Sequence, residues 1–161
     1  MPDMLVPLLH IPEMKPFLED MEKQNIVIRR ALPFETGIVR AFVEKHFSST
    51  WADEITVAFS YKPTTIFIAI REGEVIGFAG YECVCRAFFG PTGVSEEERG
   101  KGIGGALLMA SLHGLKEMGY AYGIIGAAGP TEFYSKVVGA TVIEGSVPGI
   151  YAHPLKRNGV E

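Results

Sequence analysis

The stretch Val94-Ser-Glu-Glu-Glu-Arg99-Gly-Lys-Gly-Ile-Gly-Gly105 carries the strongest structural signal in the chain, with four glycines in its last six residues. It joins a segment of strand character to the apolar segment 102–118, whose leucines recur at helical spacing and predict a buried helix. Glycines remove side chains, so that backbone N–H groups can approach a ligand. The helix dipole and its free N–H groups favour an anion, and Arg99 and Lys101 add positive charge. The stretch therefore predicts a loop that binds a diphosphate.

The residues that follow predict a strand, a helix and a final hairpin. Gly119 ends the buried helix, and residues 120–125 are typical of a buried parallel strand. An amphipathic helix is predicted over 131–138, with Gly139 closing it. The short segments 142–143 and 149–154 are expected to complete the sheet as a last hairpin.

The residues that precede the stretch predict an antiparallel meander. Apolar and β-branched runs over 65–70 and 75–85 flank the turn 71–74, which indicates a β-hairpin, and 88–94 adds a further strand. Upstream, the spacing predicts a helix over 13–23, a strand over 25–32, a helix over 34–46 and a second helical segment over 51–59. This order indicates an α/β fold with a mixed sheet, in which the buried helix crosses over between two parallel strands.

Two other nucleotide-binding loops are excluded by the context of the glycines. Gly100, Gly102 and Gly105 fit the dinucleotide pattern G-x-G-x-x-G, but that pattern should follow a hydrophobic strand directly, and here it follows Ser-Glu-Glu-Glu. The next strand should also end in an acidic residue, whereas 125–127 reads Ile-Gly-Ala. A phosphate loop of the Gly-Lys-Ser/Thr type is absent from the sequence.

The run Arg99-Gly-Lys-Gly102-Ile-Gly104 resembles the R/Q-x-x-G-x-G/A signature of the GNAT acyltransferase superfamily. Phe133-Tyr134-Ser-Lys136 is similar to the FYxK segment of that family, and the resemblance spans about residues 25–155. It implies a single-domain fold over 25–161: a mainly antiparallel mixed sheet flanked by helices, with a splayed parallel strand pair at the coenzyme A site. Residues 1–24 are then an N-terminal extension packed on this domain.

The resemblance also implies acetyl-CoA as cosubstrate and a set of site residues. The Val94 backbone N–H is expected to stabilise the tetrahedral oxyanion, and Tyr134 to protonate the departing thiolate. Glu82, on the strand expected to line the acceptor side, is a candidate base, with a plain surface role as the alternative. The residues expected to bind the cofactor are Val94, Arg99, Gly100, Lys101, Gly102, Ile103, Gly104, Gly105, Phe133 and Lys136.

The sequence differs from the family pattern at two places near the expected cofactor arms. Family members often have an asparagine before the last helix, where this chain has Ala127-Ala128. The FYxKxGF link of the family is one residue longer here and ends in Gly139-Ala140.

The composition argues against several classes of partner and several kinds of catalytic chemistry. A net charge of −4 in 161 residues argues against a nucleic-acid partner. Cys83 and Cys85 supply too few ligands for zinc, so no metal is expected, and they have no base motif that would favour a cysteine nucleophile. The N-terminus lacks a basic leader, and no apolar run reaches membrane-spanning length, so the expected location is the cytoplasm, without membrane association.

The expected reaction is acetyl transfer to a primary amine of a small molecule or a peptide. Acceptor specificity is expected from residues 47–61, from Tyr81 and Glu82, and from Tyr151. Two alternative functions remain open: a coenzyme A-binding regulatory or scaffold domain, and a purely structural subunit. The oligomeric state is also left open, with a homodimer as one option.

Overall fold

The computed structural model of this chain describes residues 1–156, which form one mixed sheet covered by helices on both faces. Its strands are β1 (Met4–Pro7), β2 (Val27–Arg30), β3 (Ile66–Arg71), β4 (Glu74–Tyr81), β5 (Phe88–Val94), β6 (Tyr122–Ile125) and β7 (Thr141–Val142). The α-helices are α1 (Lys15–Lys23), α2 (Thr36–His46), α3 (Ser49–Thr56), α4 (Ile103–Glu117) and α5 (Thr131–Val138). The spatial order β2-β3-β4-β5-β6-β1-β7 confirms the predicted α/β class.

Two hydrophobic cores lie on opposite faces of the sheet, because successive side chains of a strand point to opposite sides. On β3, Ile66 and Ile68 pack with the buried residues of α2 and α3, whereas Ala69 belongs to the core that contains α4. Helix α4 is apolar nearly all round because it is buried against the centre of the sheet, as its sequence predicts.

Strands β5 and β6 form the one parallel pair among the described strands, and they stay together only briefly. Their register covers Phe88 opposite Ile124 and Phe89 opposite Ile125. Strand β6 then ends, while β5 continues to Val94 along β4. The predicted splayed parallel pair is confirmed, and it leaves the second half of β5 open on one side.

The N-terminal segment contributes an internal strand to the sheet. Strand β1 runs antiparallel to β6, with Met4 opposite Ile125 and Pro7 opposite Tyr122, and β7 pairs with its other edge. Sequence analysis predicted no strand here, but only an extension packed on the domain. The sequence signal for a strand was an apolar residue at every second position: Met4, Val6 and Leu8, which are all fully buried.

The predicted last hairpin over 142–143 and 149–154 is wrong. Only Thr141–Val142 forms a strand, and Gly149–Tyr151 is a short 3₁₀ turn. The physical reason is that β7 is only two residues long and that Pro148, which lacks a backbone donor, and Gly149, with a φ of 57°, stand where the second strand would begin. The C-terminal residues fold back over the sheet end instead, where Ser146 accepts a hydrogen bond from the Asp3 N–H at 2.9 Å.

An ion pair on the β2 side yields a testable pH dependence. Glu35 accepts hydrogen bonds from Arg29 at 2.6 and 2.9 Å and from the Leu32 N–H at 2.7 Å, and the Arg29 contact chiefly lowers the pKa of Glu35 from 4.5 to about 2. At pH values above the unfolded-state pKa of about 4.5, the lowered pKa of Glu35 stabilises the folded state. This stabilisation is lost as the pH falls from about 4.5 through about 2.

We expect Glu35→Gln to lower the free energy of unfolding by about 1 kcal/mol at pH 7, because Arg29 is partly exposed. Urea unfolding of the wild type and the variant between pH 7 and pH 3 should show the difference shrinking as the pH falls. Glu13→Gln, which removes an exposed carboxylate, should show no such convergence. A gap that stays constant down to pH 3 would contradict the assignment.

Candidate active site

A β-bulge distorts β5 at the point where β5 and β6 separate. Ala79 of β4 lies opposite Thr92 and Tyr81 lies opposite Phe89, so β5 has one residue more than β4 over this stretch. The extra residue falls at Gly90-Pro91, where Gly90 adopts a φ of 122° that favours glycine. An extra residue reverses which backbone N–H groups face each neighbouring strand. The bulge therefore determines which N–H groups of β5 point into the opening, the gap that forms where β6 ends beside β5.

The hydrogen bonds on each side of the bulge show this reversal. Before it, the Phe89 carbonyl faces β6 and accepts from the Gly126 N–H at 3.4 Å. Beyond it, the Ser95 N–H faces β4 and donates to the Ile76 carbonyl at 2.9 Å. Because successive residues of a strand turn their N–H groups to opposite neighbours, the Val94 N–H points away from β4 and into the opening. Without the bulge it would face β4.

The glycine-rich loop turns directly from the end of β5 into the start of α4. Gly100 and Gly102 have φ values of 79° and 84°, and Gly102 is the residue before the first helical residue, Ile103. A side chain at Gly104 would meet no atom within 4 Å, so the surface over the first turn of α4 is open. The side chain of Ile103 is buried, which leaves its backbone as the part available to a ligand. This is the geometry of an anion site at a helix N-terminus.

Some of the charged side chains around the loop form ion pairs with one another. Lys101 Nζ donates to Glu98 Oε2 at 2.7 Å, and Arg71 pairs with the same carboxylate. The hydrogen bond from Lys101 is the main cause that lowers the pKa of Glu98. Arg99 is exposed, and its Nε donates to the Val94 carbonyl at 3.3 Å. Glu98 therefore does not point freely into solvent but pairs with the basic side chains beside the loop.

Helix α1 supports the loop from behind, a role that the sequence did not reveal. Gln24, which follows α1, donates from Nε2 to the Lys101 carbonyl at 2.9 Å. A side chain on Gly105 would lie 3.6 Å from the Phe17 ring, so Gly105 sits at close packing distance from α1. Gly105 therefore faces the protein, whereas Gly104 faces open space.

Two adjoining cavities, of about 480 and 220 Å³, extend from the gap between β5 and β6. They share a wall formed by Met1, Trp51, Phe89, Gly90, Pro91, Gly126 and Ala127. The smaller cavity continues to Thr92 and Tyr134, whereas the larger one continues to α3 and the C-terminal turn with Tyr151. Both begin at the bulge, where β5 is open.

Tyr134 lies in the wall of the smaller cavity. It is 7% exposed, and its ring packs edge-to-face on Phe89 with centroids 6.4 Å apart. Burial raises the pKa of the phenol above its usual value of 10, so the hydroxyl stays protonated at neutral pH. Phe133 and Lys136 lie on the exposed side of the same helix, α5.

Glu82 is not among the residues that line either cavity. It is 6% exposed, and its carboxylate accepts from the Ala87 N–H at 2.5 Å and from the Tyr120 hydroxyl at 3.3 Å. These contacts hold together the turn between β4 and β5, in which Glu82 and Ala87 both have positive φ. The structure therefore turns the Val94 N–H to the open side of β5 and places Tyr134 in the smaller cavity, but it gives Glu82 a position and partners in a neighbouring turn. Val94 itself lines neither cavity.

The structure does not favour Cys83 as a nucleophile. Burial raises the pKa of the Cys83 thiol to about 12, so it is not ionised at neutral pH and is a poor nucleophile. Among residues 1–156, no group of three or more His, Cys, Asp or Glu residues is arranged to hold a metal ion. No helix in that part of the chain is long and apolar enough to cross a membrane.

Sequence reasoning missed one acidic residue that does line the larger cavity. Glu54 lies on α3 together with Thr50 and Trp51, within the segment 47–61 expected to set specificity. Its spacing from these two residues, four and three positions, places all three on one helix face. The spacing could be read from the sequence, but the face of α3 that lines the cavity is decided by how α3 packs against the sheet.

Comparisons with known proteins found similar sequences and folds. Residues 62–137 match the family model described as the acetyltransferase (GNAT) domain. Similar solved structures include the glucosamine N-acetyltransferase region of a fungal multi-domain β-N-acetylglucosaminidase (TM-score 0.71, 20% identity, 88% of this chain). Another is a GCN5-related N-acetyltransferase from Sphaerobacter thermophilus (TM-score 0.68, 20% identity, 88% of this chain).

These likenesses establish the fold. The chain spans 19% of the first of those two proteins and 48% of the second. No curated protein matches the sequence.

Proposed function

We propose that this chain, whose residues 62–137 match the acetyltransferase (GNAT) domain model, transfers an acetyl group from acetyl-CoA to a primary amine of a small molecule. The observation that carries this proposal is the meeting of three features at one opening. The open half of β5 presents the Val94 N–H, the glycine-bearing start of α4 follows directly, and a cavity leads on to Tyr134. An extended thioester cofactor matches this arrangement, with its diphosphate at α4 and its acyl end between the strands.

The diphosphate is assigned to the backbone N–H groups from Gly100 to Gly105, with Arg99 as the main positive charge. Lys101 contributes less in this proposal, because it shares Glu98 with Arg71. Phe133 and Lys136 are proposed to contact the cofactor from the exposed side of α5. Ile103 contributes its N–H, since its side chain is buried.

The reaction is a direct attack of the neutral amine on the thioester carbonyl. The tetrahedral intermediate carries a negative oxygen, which the inward-pointing Val94 N–H stabilises. When the intermediate collapses, the C–S bond breaks and the departing thiolate takes the Tyr134 proton. A phenol is a weaker acid than a thiol, so this transfer is uphill in water by one to two pKa units, and the site must stabilise the phenolate as it forms.

The test has two parts. Calorimetry with acetyl-CoA should show binding to the full chain, and an amine panel with mass detection should show products heavier by one acetyl group. Binding without transfer or hydrolysis across the panel would instead favour a regulatory or scaffold domain. No binding at all would contradict the proposed site.

A further inference from the structure

The larger cavity combines an apolar wall with a single acidic side chain. Glu54 is the one carboxylate among its lining residues, and Thr50 and Tyr151 add hydroxyl groups. The remaining wall is made of glycine and apolar side chains, the bulkiest being Trp51, Phe88 and Phe89. We propose, building on the proposed function, that Glu54 binds the acceptor ammonium and takes its first proton, and that acceptors are compact monocationic amines with an apolar body.

The negative charge of Glu54 reaches the other side of the cavity. After burial, it is the largest cause that raises the pKa of the Tyr151 phenol. Tyr151 belongs to the C-terminal turn and Glu54 to α3, so the carboxylate acts across the space between these two elements. A cation placed in that space would be attracted to Glu54, and apolar walls strengthen the attraction by excluding water.

The position of Glu54 relative to the acid suits a transfer reaction. Tyr134 lines the smaller cavity, Glu54 lines the larger one, and Gly90 and Pro91 lie in the wall that both cavities share. An amine held by Glu54 would therefore approach a thioester placed along β5 from the larger cavity, whereas Tyr134 lies in the wall of the smaller one. The proposed base and the proposed acid thus line different cavities.

Each proton that the acceptor nitrogen loses has a defined acceptor. The ammonium gives one proton to Glu54, which later releases it to solvent, and the neutral nitrogen forms the new C–N bond. Collapse breaks the C–S bond, and Tyr134 protonates the thiolate. The second nitrogen proton is released as the amide forms, and it restores the Tyr134 hydroxyl through solvent. The products are an N-acetyl amide, coenzyme A as free thiol, and one proton in solution.

Size and charge define the acceptor class. A volume of about 480 Å³ lies in the range of small-molecule pockets. Trp51 and Phe88 favour an aromatic or aliphatic body. A carboxylate next to the amine, as in an α-amino acid, would lie beside Glu54 and be repelled. 2-Phenylethylamine and phenylalanine differ by this one carboxylate and form a matched pair of probes.

The experiment measures kcat/KM for both probes with the wild type, with Glu54→Gln and with Glu22→Gln, which removes an exposed carboxylate on α1. We expect the wild type to acetylate 2-phenylethylamine at least about tenfold faster than phenylalanine, from the charge repulsion. Glu54→Gln should lose about 10² in kcat/KM at pH 7, with acetyl-CoA affinity unchanged by calorimetry. Glu22→Gln should match the wild type.

The pH profile separates proton transfer from a merely structural effect. A primary amine is about one thousandth neutral at pH 7 but substantially neutral near pH 9.5, so the deficit of Glu54→Gln should shrink about tenfold or more over that range. Glu54→Gln within a factor of two of wild type, a deficit that does not change with pH, or equal rates for the two probes would overturn the inference. Failure of the proposed function is distinguishable, because the wild type would then acetylate no amine of the panel.

Discussion

Replacement of Tyr134 by phenylalanine should lower kcat by about 10²–10⁴, the range that a general acid typically contributes. The variant keeps the ring that packs on Phe89 and deletes only the hydroxyl, so folding and acetyl-CoA affinity should barely change. Steady-state rates with a saturating amine, together with calorimetry for acetyl-CoA, measure the two quantities separately. Tyr122→Phe is the matched control, because Tyr122 is an exposed tyrosine on β6 that lines neither cavity.

The pH dependence of kcat adds a second criterion. Burial raises the pKa of Tyr134 above its usual value, so ionisation of the phenol should cause no loss of rate between pH 7 and pH 8.5. If Tyr134→Phe stays within a factor of two of the wild-type kcat while chemistry is rate-limiting, another group or solvent protonates the thiolate.

Gly104→Val should weaken acetyl-CoA binding by about 10² or more. The position faces open space over the first turn of α4, where the diphosphate is assigned, so a branched side chain would displace the ligand without colliding with the protein. Loss of two charge-assisted hydrogen bonds, at roughly 1.5 kcal/mol each, corresponds to about two powers of ten in the dissociation constant. Calorimetry gives this constant directly, and Arg99→Ala should show a smaller loss of about tenfold.

Gly37→Val supplies the control for Gly104→Val. Gly37 is also the second residue of a helix, α2, and a side chain there likewise meets no atom within 4 Å. Both variants should lose similar helix stability, which thermal unfolding measures, but only Gly104→Val should lose affinity. Unchanged acetyl-CoA affinity in folded Gly104→Val would place the diphosphate elsewhere.

Local sequence patterns were enough for the features that depend on near neighbours. The glycines at 100–105 and the apolar run after them predict the loop and helix α4, because helix starts and positive φ values are set by residues within a few positions. The hairpin of β3 and β4 follows in the same way from its turn. The roles predicted for Val94 and Tyr134 came from the family resemblance and not from a local pattern.

Features that depend on long-range pairing were not readable. The strand beside β6 is an example: the C-terminal residues were expected at that side of the sheet, but β1 occupies the edge from the other end of the chain. The buried alternation of Met4, Val6 and Leu8 indicates a strand, but it does not reveal the partner of that strand. Strand partners are selected by how the whole sheet buries its faces, which a local window does not contain.

The sequence by itself determined a glycine-rich loop at the start of a buried helix, in a mixed α/β sheet. Only the tertiary structure decided which groups face the opening. The bulge at Gly90-Pro91 reverses the alternation along β5 and turns the Val94 N–H inward. Packing of α3 brings Glu54 to the cavity, whereas the turn after β4 ties Glu82 to Ala87 and Tyr120. Side-chain direction depends on register and packing, and both arise from contacts between residues far apart in sequence.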